Sequence, residues 1–393
     1  MNPHRVIKLF YGFQFFFSLL LWAPVFYEYQ KKMGLSDAQI FEIQSLYYIA
    51  FCLMELPTGY LADRWSQRKC MISGALLLVV SNLLVVFVPT FGGFLGHWML
   101  VALSRSLISG ASSAYLYNYL QESGAEGYYK STEGLARSYS LVGKVVGWAG
   151  IGYLMEWKLE LPYWLTALSA LIAFAIALRL PEFSLPVHPR DRVKPAIVLK
   201  LLFSSPYLLL VIAQGTGIFV LSRIVQVNLF NPILEDKKFA LGAYGVIMSL
   251  NTIFEALGSA YPGWLRRFMS DLNAVFLMTL IMAVSCSLMA WSGPAGAVAW
   301  LSVFALAVGF SYPIQRQVLN DAIPDSRYRA SLLSVESLLD RAVCAWVATR
   351  MAVYVKQGKV DEFLHLCDGI TLLGTLILIV LFALVKRRRP ATS

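Results

Sequence analysis

Charge is scarce in this sequence. Only 14% of its 393 residues are Asp, Glu, Lys or Arg, where a soluble globular domain carries about 25%. Length alone would allow two or three soluble domains, but too few charged side chains remain to cover them. Cysteine is sparse as well: Cys52, Cys70, Cys286, Cys344 and Cys367 form no CxxC and lie mostly inside apolar runs. They read as small buried hydrophobes, with neither a disulfide framework nor a metal site implied. His4, His97, His188 and His365 show no ligand spacing, and no Asn-x-Ser/Thr acceptor occurs. A nucleotide-binding loop, a catalytic triad and a metal cluster are all missing, so neither an enzyme nor a cofactor is expected. The net charge of +10 comes from short clusters of Lys and Arg between apolar runs, without DNA-reading helices or zinc-finger spacing. That distribution fits membrane topology and excludes nucleic acid as the partner.

What fills the chain is hydrocarbon: 58% hydrophobic residues and a mean hydropathy of +0.62. A bilayer core about 30 Å thick takes roughly 20 apolar residues of helix. Twelve segments meet that length, at about 8–29, 38–62, 70–90, 94–121, 135–156, 161–180, 201–229, 239–264, 272–292, 296–320, 330–355 and 361–385. The breaks carry turn or charge signals, such as Gly34 to Asp37, Asp63 to Lys69, Gly124 to Gly127 and Ser292 to Pro294. The first apolar run is too long for a cleaved signal and is followed by further spans. The expectation is an all-α integral membrane protein in contact with the lipid bilayer, its even count of spans placing both termini on one side.

Positive charge names the side. With a cytoplasmic N-terminus, 19 Lys and Arg residues fall in cytoplasmic segments, among them Arg64, Arg68, Lys69, Arg266, Arg267 and Lys386 to Arg389. Seven, from Lys31 and Lys32 to Lys356 and Lys359, fall outside, and seven lie within spans. This bias fixes both termini in the cytoplasm. The longest connection, Pro181 to Lys200, is polar and carries four prolines. It divides the chain into a six-helix bundle over 1–180, a cytoplasmic linker over 181–200 and a second six-helix bundle over 201–393.

The two halves echo one another at a shift of about 200 residues. Gln14 then meets Gln214, Glu55 meets Glu255, and Gly110 meets Gly309 at a shift of 199. Together these matches imply two pseudo-symmetric bundles.

Between the second and third spans stands Glu55-Leu-Pro-Thr-Gly59-Tyr-Leu-Ala-Asp63-Arg64-Trp-Ser-Gln-Arg68-Lys69. It resembles the major facilitator superfamily signature G-x-L-[AGS]-D-R-x-G-R-[RK], which occupies the same loop. Gly59, Leu61, Ala62, Asp63, Arg64 and Arg68 match, whereas Ser66 and Gln67 depart from the pattern. The resemblance implies the fold of that superfamily, with a substrate site near the midplane. It also implies a gate in which Asp63 meets the positive N-terminal end of span eleven, with Gly59, Arg64 and Arg68 beside it. The basic residues read alternatively as orientation charges. The stretch from Arg105 to Ala114 in span four looks like the superfamily's arginine-containing pattern there. A mid-span charge costs roughly 2.5–3.5 kcal/mol on insertion scales, so Arg105 must face an interior or wet surface, as ligand contact or as hydrogen-bond hub.

The other intramembrane cations are Arg137, Lys144, Arg223, Arg316, Arg341 and Arg350. Lys144 and Glu255 sit at matching depth, roughly 13–14 Å in at 1.5 Å per residue, in spans that meet in the superfamily. They form an expected gating pair. Glu336 and Asp340 share one helix face, and two close carboxylates in low dielectric disfavour joint ionisation. With Glu55 and Glu255 they are the candidate proton-coupling groups, unless Arg341, also a candidate gate residue, holds their charge fixed. By the resemblance, spans one, four, seven and ten line the cavity. Their candidates for substrate contact are Gln14, Tyr27, Arg105, Asn118, Gln214, Arg223, Gln315 and Arg316, with Tyr312 among the aromatics. The expected function is proton-coupled export of a small organic molecule by a monomer in the cytoplasmic (inner) membrane. The alternative is uptake or exchange of an organic anion held by the intramembrane arginines.

Overall fold

The computed structural model describes residues 3–64, 66–182, 201–323 and 329–388, all helices and turns with no strand among them. The chain forms two compact units, one of residues 1–190 with 240–249, the other of 191–239 with 250–393. The first is built from α1 (Pro3–Ser18), α2 (Phe26–Lys32), α3 (Asp37–Arg64), α4 (Gln67–Phe87), α5 (Phe91–Glu122), α6 (Tyr129–Ala149), α7 (Ile151–Trp157) and α8 (Leu161–Arg179). The second contains α9 (Pro206–Arg223), a π-turn at Ile224–Asn228, α10 (Phe230–Asp236), α11 (Leu241–Ala260), α12 (Pro262–Arg266), α13 (Asp271–Trp291), α14 (Pro294–Ala322), α15 (Arg329–Lys356) and α16 (Val360–Arg388). The first half of α11 groups with the first unit.

Eight helices among the described residues are long and apolar enough to cross a membrane. They match the third, fourth and sixth expected segments, and the seventh to tenth and twelfth. The other four are helical without meeting that measure. Segment 8–29 is two short helices around a turn, and 135–156 is interrupted at Gly150. The helices α3 and α15 are 28 residues long but more polar, α15 carrying Glu336, Asp340, Arg341 and Arg350.

The broken first segment has a local cause. Pro24 lacks an N–H and disfavours helix just before it, so residues 19–25 leave the helix. Backbone freed at membrane depth must find partners within the protein, and neighbouring side chains supply them. The Leu21 N–H donates to Thr166 Oγ1 at 3.0 Å. Trp148 Nε1 donates to the Leu20 carbonyl at 2.8 Å, and Ser169 Oγ to the Phe16 carbonyl at 2.8 Å. In the second unit, Pro232 removes the donor that would reach the Asn228 carbonyl. The chain widens there into a π-turn, closed by Leu229 N–H to Ile224 O at 2.8 Å.

The helix ends correct the internal register. The pair α4 and α13 begin at 67 and 271 and end at 87 and 291, a shift of 204 at both ends. The same shift relates α2 to α10, 26–32 against 230–236. The turns that follow also match. Gly34 donates to Lys31 O at 2.9 Å and Leu35 to Gln30 O at 3.1 Å, while Lys238 donates to Glu235 O and Phe239 to Leu234 O, both at 2.9 Å. The shift of 200 over the first helices was therefore one helical turn short. Only later does it hold, as between the last residues of α5 and α14, 122 and 322.

Candidate functional site

The second unit concentrates its charge on one run of α15. Glu336 is fully buried and its Oε2 accepts from Arg316 Nη1 of α14 at 2.9 Å. Asp340, 4% exposed, accepts through Oδ2 from Arg223 Nη2 at 3.3 Å, at the end of α9. Four residues of helix rise about 6 Å, so the two ion pairs stack one turn apart. Each carboxylate meets an arginine from a different helix. Arg316 and Arg223 thus join Arg341, which lies beside Asp340 in sequence, as cations that can balance the two carboxylates. Beyond Arg223, the π-turn presents Gln226, whose Nε2 donates to Glu255 Oε2 at 3.3 Å and whose Oε1 accepts from Ser222 Oγ at 2.9 Å.

A missing side chain makes room for the inner pair. A Cβ on Gly215 of α9 would stand 2.1 Å from Glu336 Oε1 and 2.5 Å from Gln315 Nε2. The Arg316 guanidinium lies 5.2 Å from the Phe219 ring and 5.5 Å from the Tyr312 ring, within cation–π reach of both. Backbone approaches elsewhere are similarly close. A Cβ at Gly309 would meet the Glu255 carbonyl at 2.2 Å, and one at Gly258 the Leu306 carbonyl at 2.4 Å, so α11 and α14 touch along small residues.

Several expected substrate contacts hold hydrogen bonds within the protein. Gln214 is buried and donates to Thr279 Oγ1 at 2.8 Å, tying α9 to α13. Gln315 is fully buried and donates to the Val211 carbonyl at 2.9 Å. Tyr27 is fully buried, and its hydroxyl donates to Asp37 Oδ1 at 2.6 Å, closing α2 onto α3. Asn118 donates to Gln67 Oε1 at 3.2 Å between α5 and α4. Gln14 is half-buried, and its carbonyl accepts from Ser140 Oγ at 3.0 Å. Arg105 is exposed on α5, while Arg223 and Arg316 each keep part of the guanidinium open, with side chains 28% and 30% exposed.

Among the gate residues, Gly59, Asp63 and Arg64 fall in α3, but their side chains lie outside the described residues. Arg68 donates to the Leu178 carbonyl at 2.7 Å and faces Glu182 at 3.6 Å, tying α4 to the end of α8. Lys144 is half-buried, 6.0 Å from the Trp148 ring, and Glu55 and Arg341 are half-buried. Phe219 and Gly215 were missed in the sequence. An apolar ring and a mid-helix glycine carry no chemical signal until the helices they face are known.

Known proteins give the arrangement its context. The model of the Major Facilitator Superfamily matches residues 7–335. An uncharacterized MFS-type transporter YxaM of Bacillus subtilis is 24% identical over 354 residues, 84% of each chain. A crystallised mutant of the nucleoside transporter NupG superposes with TM-score 0.82 at 16% identity, covering 97% of this chain and all of that one. The POT family transporter PepTSo superposes with TM-score 0.78 at 12% identity over 99% of both chains. A family match across most of the chain, apolar helices and intramembrane ion pairs therefore agree: the chain belongs to the major facilitator superfamily and is a multi-pass membrane transporter rather than an enzyme.

Proposed function

We propose that the chain is a proton-coupled exporter of a small organic molecule, working as a monomer by alternating access in the cytoplasmic membrane. Both termini would lie in the cytoplasm, a placement supported by the 19-to-7 distribution of basic residues. The observation that carries the coupling is Glu336, fully buried and bound to Arg316. A buried ion pair is costly to leave half-made. A proton taken up by Glu336 would discharge its pull on Arg316 and free that helix contact, while substrate on the Arg316 side would favour the released form. Asp340 with Arg223 repeats the device one turn further along, and Glu255 is within reach of the same π-turn through Gln226.

The organic-anion reading asks Arg105, Arg223 and Arg316 to hold the substrate's charge. Arg223 and Arg316 already face carboxylates at 3.3 and 2.9 Å, which favours export of an uncharged or cationic molecule. The test uses everted vesicles containing the protein, acidified inside, with a compound chosen by thermal-shift screening. Accumulation that collapses with an uncoupler, and that Glu336→Gln abolishes while leaving counterflow exchange intact, is the expected result. Transport unchanged without a proton gradient would refute the coupling.

A further inference from the structure

The faces of α9 and α14 around the inner ion pair carry more than the pair itself. Along α14, Tyr312, Arg316 and Asn320 recur every fourth residue and so form one stripe. Tyr312 is 40% exposed. Along α9, Thr216, Phe219 and Arg223 share a face by the same spacing. The stripes meet, since the Phe219 and Tyr312 rings lie 5.4 Å apart with the guanidinium over both. An arginine within a span and 30% exposed is costly to leave against lipid, which argues for an aqueous face.

Two neutral polar atoms on these stripes are buried without a hydrogen bond, Thr216 Oγ1 and Asn320 Oδ1. A helical threonine ordinarily donates to the carbonyl a turn back, as Thr279 does to Val275 at 2.8 Å, and Thr216 does not. Buried polar atoms are ordinarily satisfied. The face thus combines an exposed aromatic ring, a guanidinium whose charge Glu336 already balances, an unpartnered hydroxyl and an unpartnered amide oxygen that can only accept.

Resting on the transporter reading above, we infer that this face binds an uncharged, planar heteroaromatic substrate bearing N–H or O–H donors. Its ring stacks on Tyr312 and Arg316, and its polar edge bonds Asn320 and Thr216. An aromatic anion gains little from an arginine already neutralised, and a sugar has no π face to stack, only C–H bonds.

The test is equilibrium binding to the purified full-length protein with four radiolabelled probes: uridine and adenosine as neutral heteroaromatics, benzoate as an aromatic anion, and glucose as a neutral non-aromatic. The heteroaromatics are expected to bind saturably, at least about tenfold tighter than the other two, because ring stacking alone is worth that much. Tyr312→Ala should weaken them about tenfold and Tyr312→Phe by less than about threefold. Both variants are checked for a monodisperse elution profile. Glu336→Gln, which leaves the charge of Arg316 unbalanced, should raise benzoate binding. Equal or tighter binding of benzoate or glucose by the native protein, heteroaromatic affinity unchanged in Tyr312→Ala, or no binding of either heteroaromatic would overturn the inference. Counterflow in proteoliposomes separates the two levels: exchange of benzoate or glucose would sink this substrate class and leave the transporter standing. Proton-driven movement of the compound found by thermal shift judges the transporter reading on its own.

Discussion

The two units solve the same problem, polar groups inside a bilayer, with different chemistry. Around its broken first segment the first unit uses neutral groups, with Thr166 accepting from a backbone N–H and Trp148 and Ser169 donating to backbone carbonyls at 2.8 to 3.0 Å. Around its own broken segment the second unit uses charge, with Arg223 on Asp340 and Arg316 on Glu336. Neutral bonds of this kind change little with the surroundings. An ion pair depends on the protonation of its carboxylate, so under the proposed coupling the second unit is where a proton gradient would act. On that proposal one break is scaffold and the other switch.

The largest effect that would sharpen this contrast is the loss of one ionic partner. Arg316→Ala leaves Glu336 charged and fully buried, and should cost about 3–5 kcal/mol, read as a large fall in melting temperature in detergent. Replacing both residues together, Arg316→Met with Glu336→Leu, should recover most of that stability without recovering transport. A double variant no more stable than Arg316→Ala would break the switch assignment. Next comes Gly215→Ala, whose new methyl would fall 2.1 Å from the carboxylate of Glu336. Overpacking of this kind costs roughly 1–3 kcal/mol, and transport should drop with stability. Gly217→Ala, where a Cβ meets nothing within 4 Å, is the matched control and should be near neutral.

In the first unit the corresponding probe is Thr166→Val. It strips the Leu21 N–H of its acceptor and should cost about 1–3 kcal/mol. Because this bond is scaffold, proton-driven and counterflow rates should fall in proportion to the folded fraction, with no separation between them. Smallest is the turn after α2 and its counterpart after α10. Gly34 adopts φ 91° and Lys238 φ 59°, with matching backbone bonds. A lysine in that left-handed region costs about 1 kcal/mol, so Lys238→Gly should raise stability by that much and Gly34→Lys lower it similarly. Thermal melts of the two variants moving in the same direction would show that the turns are not equivalent.

The family was legible before any coordinates, because Gly59 to Lys69 is a long motif in a fixed place and composition alone demands a bilayer. The internal repeat was legible but misplaced. Residues four apart share a helix face, so a match of Gln14 with Gln214 looks as sound as the true register and carries no warning of the missing turn. Pairing was the least legible. Hydropathy gives the depth of Glu336 and Arg316 but not which way each helix is rotated, so the approach of Arg316 and Arg223 to the two carboxylates could not be read from sequence. Gln214 and Gln315 were read from sequence as candidate substrate contacts. Sequence could not tell that helix–helix ties would claim them, because the acceptors, Thr279 Oγ1 and the Val211 carbonyl, lie 65 and 104 residues away.

Gly215 has an implication for descent. While the end of a long acidic side chain occupies the space over its Cα, a methyl there must displace that carboxylate, so the two positions are bound to a common fate. In cousins where the place of Glu336 has shrunk to a short or neutral residue, the glycine loses its reason to persist and alanine or serine becomes free to take over. Paired replacement at these two sites across an alignment would therefore mark the branches that have given up the carboxylate.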